Sequence, residues 1–117
     1  MHYAISTTWG PTDTTRASLP FIFAATALDA GDTITIMLFH DAVNIAVKGA
    51  YEQMIPCGPP PKFAEVFGHK NAEIIVCKPC AKVRGIDESD LISGCTMGGM
   101  GDFYQRITRD DCKALNF

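Results

Sequence analysis

At 117 residues, with 47% hydrophobic and 20% charged residues, the chain is sized for one globular domain spanning 1–117. Its ten lysines and arginines are scattered and its net charge is −3, which argues against a phosphate-gripping surface and against nucleic acid as a partner. The longest apolar stretch, Leu19 to Leu28, falls well short of the roughly 20 residues a bilayer-spanning helix needs, and Met1-His2-Tyr3-Ala4 lacks a signal peptide's basic lead-in. No membrane contact and a cytoplasmic, reducing setting are therefore expected.

A domain of this size buries roughly two thirds of the surface its unfolded chain exposes, enough for a core without disulfide staples or a structural metal. The five cysteines are then available for chemistry. An odd count, with two in the spacing Cys77-Lys78-Pro79-Cys80, fits reactive or metal-binding thiols better than a disulfide framework. Charged residues also fall below the usual share of about 25%, a hint of buried subunit contacts.

In chain order, His2 to Trp9 alternates as a short strand and stops at Gly10-Pro11. Thr12-Asp13 offers an N-cap, and Ala17, Phe21, Ala24, Ala25 and Leu28 recur at helical spacing until Gly31-Asp32. Pro20 requires that this helix start near it or kink there. Thr33 to Phe39 is a β-branched, nearly continuous apolar run, the pattern of a strand covered on both faces in a parallel sheet. Asp41 to Met54 carries helical spacing weakened by Gly49, and the proline-rich run from Ile55 to Pro61 is irregular. Lys62 to His69 predicts a short helix and Ala72 to Cys77 a buried strand, followed by helical turns over Pro79 to Arg84 that end at Gly85. Asp87 to Ile92 is a connection. Ser93 to Met97 predicts a fourth strand, Asp102 to Arg109 a helix and Lys113 to Phe117 a last strand. Alternating strands and helices make an α/β domain, a three-layer α/β/α sandwich on a mainly parallel five-stranded sheet.

Ligands of such sheets sit beyond the carboxyl ends of the strands. The expected strand endings there are Trp9-Gly10, His40-Asp41, Cys77 to Cys80, and Cys95 to Gly99. Cys112, at the start of the last strand, belongs at the opposite edge as a structural thiol. Cys77 ends a strand and Pro79 stands where a helix tolerates proline, so the free amides of the new helix point at the Cys77 sulfur. With Lys78, Lys82 and Arg84 nearby, the expected effect is a lowered thiol pKa. The bland alternative is two small buried hydrophobes at a strand-helix junction.

Three chemistries suit a reactive pair. Zinc needs two more ligands, for which only the separated Cys57, Cys95 or His40 are available, and no second close pair exists. Thioredoxin-like exchange suits Cys-x-Pro-Cys at a helix start, but no proline follows Cys80 and the motif arrives two βα units late. Sulfur relay through a persulfide needs a nucleophilic, accessible thiol and neither metal nor cofactor.

The stretch Ile75-Val76-Cys77-Lys78-Pro79-Cys80-Ala81-Lys82-Val83-Arg84-Gly85-Ile86 resembles the active-cysteine segment of the DsrE/DsrF-like (YchN-like) family, which includes the TusD and DsrE sulfur carriers. Thr12 to Gly31, with Arg16-Ala17 and Pro20, resembles that family's first helix. Phe39-His40-Asp41-Ala42-Val43 resembles its second strand ending and Gly98-Gly99-Met100-Gly101 its closing turn. The resemblance implies a sulfurtransferase-type carrier with Cys77 as the persulfide-forming residue, because Cys77 lies eight residues before Gly85, as the active cysteine does in the sulfur-carrying members. It leaves Cys80 as an additional thiol of open role. It implies a homo-oligomer, trimer or hexamer, with sulfur-donor and sulfur-acceptor proteins or small sulfur compounds as partners. A non-catalytic thiol-based redox or small-ligand binding protein of the same fold, or a dithiol oxidoreductase, are the alternatives.

His40 is a candidate for contacting a sulfur substrate, against the structural role a histidine after an apolar strand commonly has. Arg84 joins it as a cationic candidate. Cys95 is placed to approach Cys80 across the strand ends, and Cys57 rides on a loop able to fold over them. Gly98 to Gly101 reads as a tight turn rather than an anion cradle. His2 and His69 read as surface residues, and Phe21, Ala24, Ala25 and Leu28 as core.

Overall fold

The computed structural model describes residues 1–55 and 58–117. Strands β1 (His2–Thr7), β2 (Thr33–Leu38), β3 (Ala72–Cys77), β4 (Thr96–Gly98) and β5 (Cys112–Asn116) form one sheet in the order β4-β3-β2-β1-β5. All four pairings are parallel, so the expected mainly parallel sheet is wholly so. Ile34 to Leu38 are all buried, which is why β2 reads as a nearly continuous apolar run: it lies mid-sheet with both faces covered.

The register assigns the layers. Tyr3, Ile34 and Ala72 share one face, and Ala4, Thr35 and Glu73 share the other. Phe23 of helix α1 (Thr14–Asp29) meets Tyr3 edge-on at 5.2 Å. Arg106 of α4 (Met100–Ile107) bonds Glu73 at 2.6 Å, so α1 and α4 cover opposite faces. The short helix α2 (Phe63–Val66) locks onto α1, with Phe63 and Phe67 at 4.9 and 5.4 Å from Phe21. Such ring pairs add about 1 kcal/mol each to their area burial. The Phe21, Ala24, Ala25 and Leu28 stripe is core.

Asp13 caps α1 by accepting the Arg16 amide, so Pro20 stands inside the helix rather than at its start. The expected helix over Asp41 to Met54 is instead two 3-10 helices, His40–Ala46 and Tyr51–Gln53. The Asn44 amide group satisfies the Asp41 carbonyl, Gly49 breaks the run at φ +82°, and the buried residues 42, 43, 45 and 46 repeat every three. The connection after Asp87 contains a further 3-10 turn, Glu88–Asp90.

His2 is not a surface residue, and His69 is only partly one. His2 is 5% exposed and bridges Thr33 and Thr35 through its two ring nitrogens at 2.6 and 2.9 Å. Thr35 in turn donates to Glu73, joining His2 to the Arg106 ion pair. His69 is half-buried, and its Nδ1 accepts the Asn71 amide ahead of β3.

Candidate functional site

Strand β3 ends on Cys77 and helix α3 (Lys78–Lys82) begins at once, with Pro79 in its first turn where a missing amide hydrogen costs nothing. Cys77 is the residue from which the helix springs and is 7% exposed, while Cys80, one turn on, is half-buried. Both thiols are free, and their side chains interact.

Beside them stands the turn after β2. His40 has φ +53°, a left-handed conformation uncommon for a residue with a Cβ. That turn aims its backbone amide at Cys80 Sγ, 3.2 Å away. Asp41 holds the turn from behind: its carboxylate accepts Thr12 Oγ1 at 3.0 Å and the Asn44 side chain at 3.0 Å. Gly10 packs so tightly against Asp41 that a Cβ there would collide with the Asp41 backbone carbonyl. Arg84 joins the two segments with one guanidinium nitrogen on the Cys80 carbonyl at 3.0 Å and another on His40 Nδ1 at 3.1 Å. A guanidinium only donates, so Nδ1 is the acceptor and the His40 proton sits on Nε2.

The electrostatics of Cys77 differ from the expectation. Burial pushes its thiol pKa upward, and interaction with the Cys80 side chain and charge adds to this. The Cys80 amide and the Arg84 charge pull downward, as the sequence suggested, but do not outweigh burial. Lys78 and Lys82 are exposed at the surface. Burial thus disfavours the Cys77 thiolate, and the Cys80 amide and the Arg84 charge are what favour it.

The structure brings together Cys77, Cys80, His40 and Arg84. It separates Cys95, which precedes β4 instead of ending it. With Thr96 paired to Ile75 and Gly98 to Cys77, Cys95 lies roughly three residues, or about 10 Å of strand, below the carboxyl edge. Burial raises its thiol pKa to about 11. Cys112 pairs with His2 at the amino edge, opposite the site, as expected. Cys57 lies outside the described residues. Among the described residues no group of three His, Cys, Asp or Glu side chains is placed to hold a metal ion.

The Gly98 to Gly101 segment carries β4 into α4 through the single residue Gly99. The Gly99 amide donates to the Asp102 carboxylate at 2.8 Å, which closes the turn expected there. Two contributors escaped sequence reasoning: the His40 backbone amide, and Gly10 with Asp41 behind it. Gly10 carries no signal beyond a strand stop, because its need for a missing Cβ comes from a segment thirty residues on.

Chain direction across the sheet reverses between β1 and β5, the switch point at which parallel sheets commonly bind ligands. A cavity of about 490 Å³ lies there, lined by Ser6, Thr8, Phe39, Met100, Phe103 and Asn116. Phe39 forms its wall and His40 the cysteine site, so the two regions share one backbone segment.

Comparison with known proteins gives a match to the DsrE/DsrF-like family over residues 1–117. The chain is 31% identical over 99 residues to the uncharacterized protein MK0008 of Methanopyrus kandleri, covering 82% of this chain and 78% of that one. It is 30% identical over 114 residues to the uncharacterized protein MJ0989 of Methanocaldococcus jannaschii, covering 95% and 96%. Its fold is similar to the crystal structure of the YchN protein from E. coli, with a TM-score of 0.81 at 22% identity over 100% of this chain and 99% of that one. It is also similar to MTH1491, a protein of unknown function from Methanobacterium thermoautotrophicum, with a TM-score of 0.70 at 15% identity over 99% and 97%. No helix among the described residues is long and apolar enough to cross a membrane.

Proposed function

The chain belongs to the DsrE/DsrF-like family, and from that premise we propose that it is a cytoplasmic sulfur carrier holding sulfane sulfur as a persulfide on Cys77 and relaying it to a partner thiol. The observation that carries this reading is the pairing of the Cys77 and Cys80 side chains at the carboxyl edge, where the Cys80 backbone amide and the Arg84 charge both act on the Cys77 sulfur. An amide donor and a cation are what favour negative charge on a sulfur as its proton leaves.

In the loading step the Cys77 sulfur attacks the terminal sulfur of a donor persulfide. The donor S–S bond breaks, a Cys77 Sγ–S bond forms, and the proton lost by Cys77 ends on the departing donor thiol. Relay repeats the exchange with an acceptor thiol as nucleophile, so the moved sulfur keeps its oxidation state and no cofactor takes part. Sulfur donors and acceptors are the proposed partners, either proteins or small sulfur compounds. Assembly into a trimer or hexamer is proposed with support from α4, which buries no residue completely and leaves Met100 and Tyr104 65% and 64% exposed. The cavity beside Phe39 favours a second reading, in which a protein of this fold binds a small ligand there and uses its thiols only as redox sensors.

The test is brief exposure to thiosulfate, tetrathionate or polysulfide, alkylation to trap persulfides, then intact mass and peptide mapping. The carrier reading expects a sulfur adduct on Cys77 and none in Cys77→Ser. Retention of the adduct by Cys77→Ser on another thiol would show that the residue is misassigned.

A further inference from the structure

The adjacency of the two sulfurs carries a consequence for any sulfur bound to Cys77. Displacement at sulfur requires the attacking, central and departing sulfur atoms to lie nearly in line. Cys80 sits beside Cys77, so it can approach the Cys77 Sγ with the outer sulfur departing on the far side. Reaching the outer sulfur in line would require Cys80 to stand beyond it. Proximity of this kind therefore favours breaking the persulfide over passing it from one cysteine to the other.

Resting on the persulfide reading above, we infer that Cys80 is a resolving thiol: without an acceptor, it attacks Cys77 Sγ, forms a Cys77–Cys80 disulfide and expels the bound sulfur as hydrosulfide. The balance is complete. Cys77–S–SH and Cys80–SH become the disulfide and hydrogen sulfide, with the sulfane sulfur gaining the two electrons that the thiol pair loses. An external dithiol reductant is then needed to return the pair to its starting state for another turnover. The protein thus has a second output, inorganic sulfide, suited to a downstream reaction that consumes sulfide rather than protein-bound persulfide.

Three features single out Cys80. It is the more exposed of the pair, and it is one helical turn from Cys77, the spacing at which helix-start pairs close into disulfides. Its sulfur also accepts the His40 amide, an interaction that strengthens when the sulfur becomes anionic. Arg84 fixes this arrangement from the other side by bonding the Cys80 carbonyl and His40 together. Neither Cys95 nor Cys112 is available for the same step, because the strand register places both away from the carboxyl edge.

The experiment treats the full chain anaerobically with glutathione persulfide and follows free sulfide, intact mass and site-mapped adducts in wild type and Cys80→Ser. Wild type should release close to stoichiometric sulfide and finish lighter by two hydrogens, as the internal disulfide. Cys80→Ser should keep the added sulfur on Cys77 and release sulfide at least about tenfold more slowly, because the positioned intramolecular thiol is gone. Cys80→Ala, compared by thermal melting, guards against a folding defect and should behave as Cys80→Ser does. If both wild type and the variants hold the persulfide on Cys77 without sulfide release, the resolving role is wrong and the carrier reading stands. If none of them takes sulfur on Cys77, both are wrong.

Discussion

The backbone amide of His40 donates to Cys80 Sγ at 3.2 Å, and it does so from a left-handed turn at φ +53°. Any substitution at His40 other than proline keeps that donor. What can remove it is a shift of the turn, which makes the residues behind the turn part of the sulfur chemistry.

Gly10 is the clearest of these. Gly10→Ala places a methyl group against the Asp41 carbonyl, where only backbone movement relieves the collision. The expected result is a loss of roughly 1–3 kcal/mol in chemical denaturation. The His40 amide should move off Cys80, read as a change in the rate of Cys80 alkylation in the still-folded protein. An unchanged rate would mean that the turn does not govern the sulfur.

Cys77 should alkylate slowly at neutral pH and gain reactivity only on the alkaline side of the ordinary thiol range, since burial holds its pKa up. The Arg84 charge opposes that rise. Arg84→Gln should accordingly move the pH profile of Cys77 alkylation further upward, measured by site-resolved iodoacetamide labelling across pH. A downward move would contradict the assigned direction of the charge.

Cys95 gives a stability test at alkaline pH. Its folded pKa is raised to about 11 by burial, so its contribution is intact below the ordinary thiol pKa. As pH rises, the unfolded chain loses this proton first, and the contribution is gone once pH passes the folded value. Thermal melts of wild type should fall more steeply than those of Cys95→Ala between roughly pH 9 and 11. Parallel curves would show that the thiol is not buried as described.

Glu73 tests the opposite sign. Burial works to raise its pKa, but hydrogen bonds from Arg106 and Thr35, with the Arg106 charge, bring it below the ordinary glutamate range. Its contribution is therefore present above that range and disappears as pH falls through the folded value. Because the pair is partly exposed, Glu73→Gln should cost only about 1 kcal/mol at neutral pH. Urea denaturation should show that gap closing in acid.

The parallel sheet and the position of Cys77 and Cys80 were legible in the chain because they rest on local patterns. Thr33 to Leu38 is β-branched and largely apolar, and Pro79 can follow a strand only by starting something new. Position along β4 was not legible. Ser93 to Met97 and Thr96–Gly98 both alternate, and pairing to Ile75 on β3 chooses between them, which moves Cys95 from the end of the strand to its beginning. The burial of His2 was hidden for a similar reason, since its partners Thr33 and Thr35 belong to the neighbouring strand. The direction of the Cys77 shift is not legible, because helix starts and lysines can be counted in a sequence, whereas the depth of a sulfur cannot.

The most direct measurement of the central claim is transfer of labelled sulfane sulfur from a donor persulfide to an acceptor thiol present throughout the reaction. Wild type should speed appearance of the label on the acceptor as a persulfide, with the label passing transiently through Cys77, and Cys77→Ser should not. Equal transfer by the two chains would contradict the account.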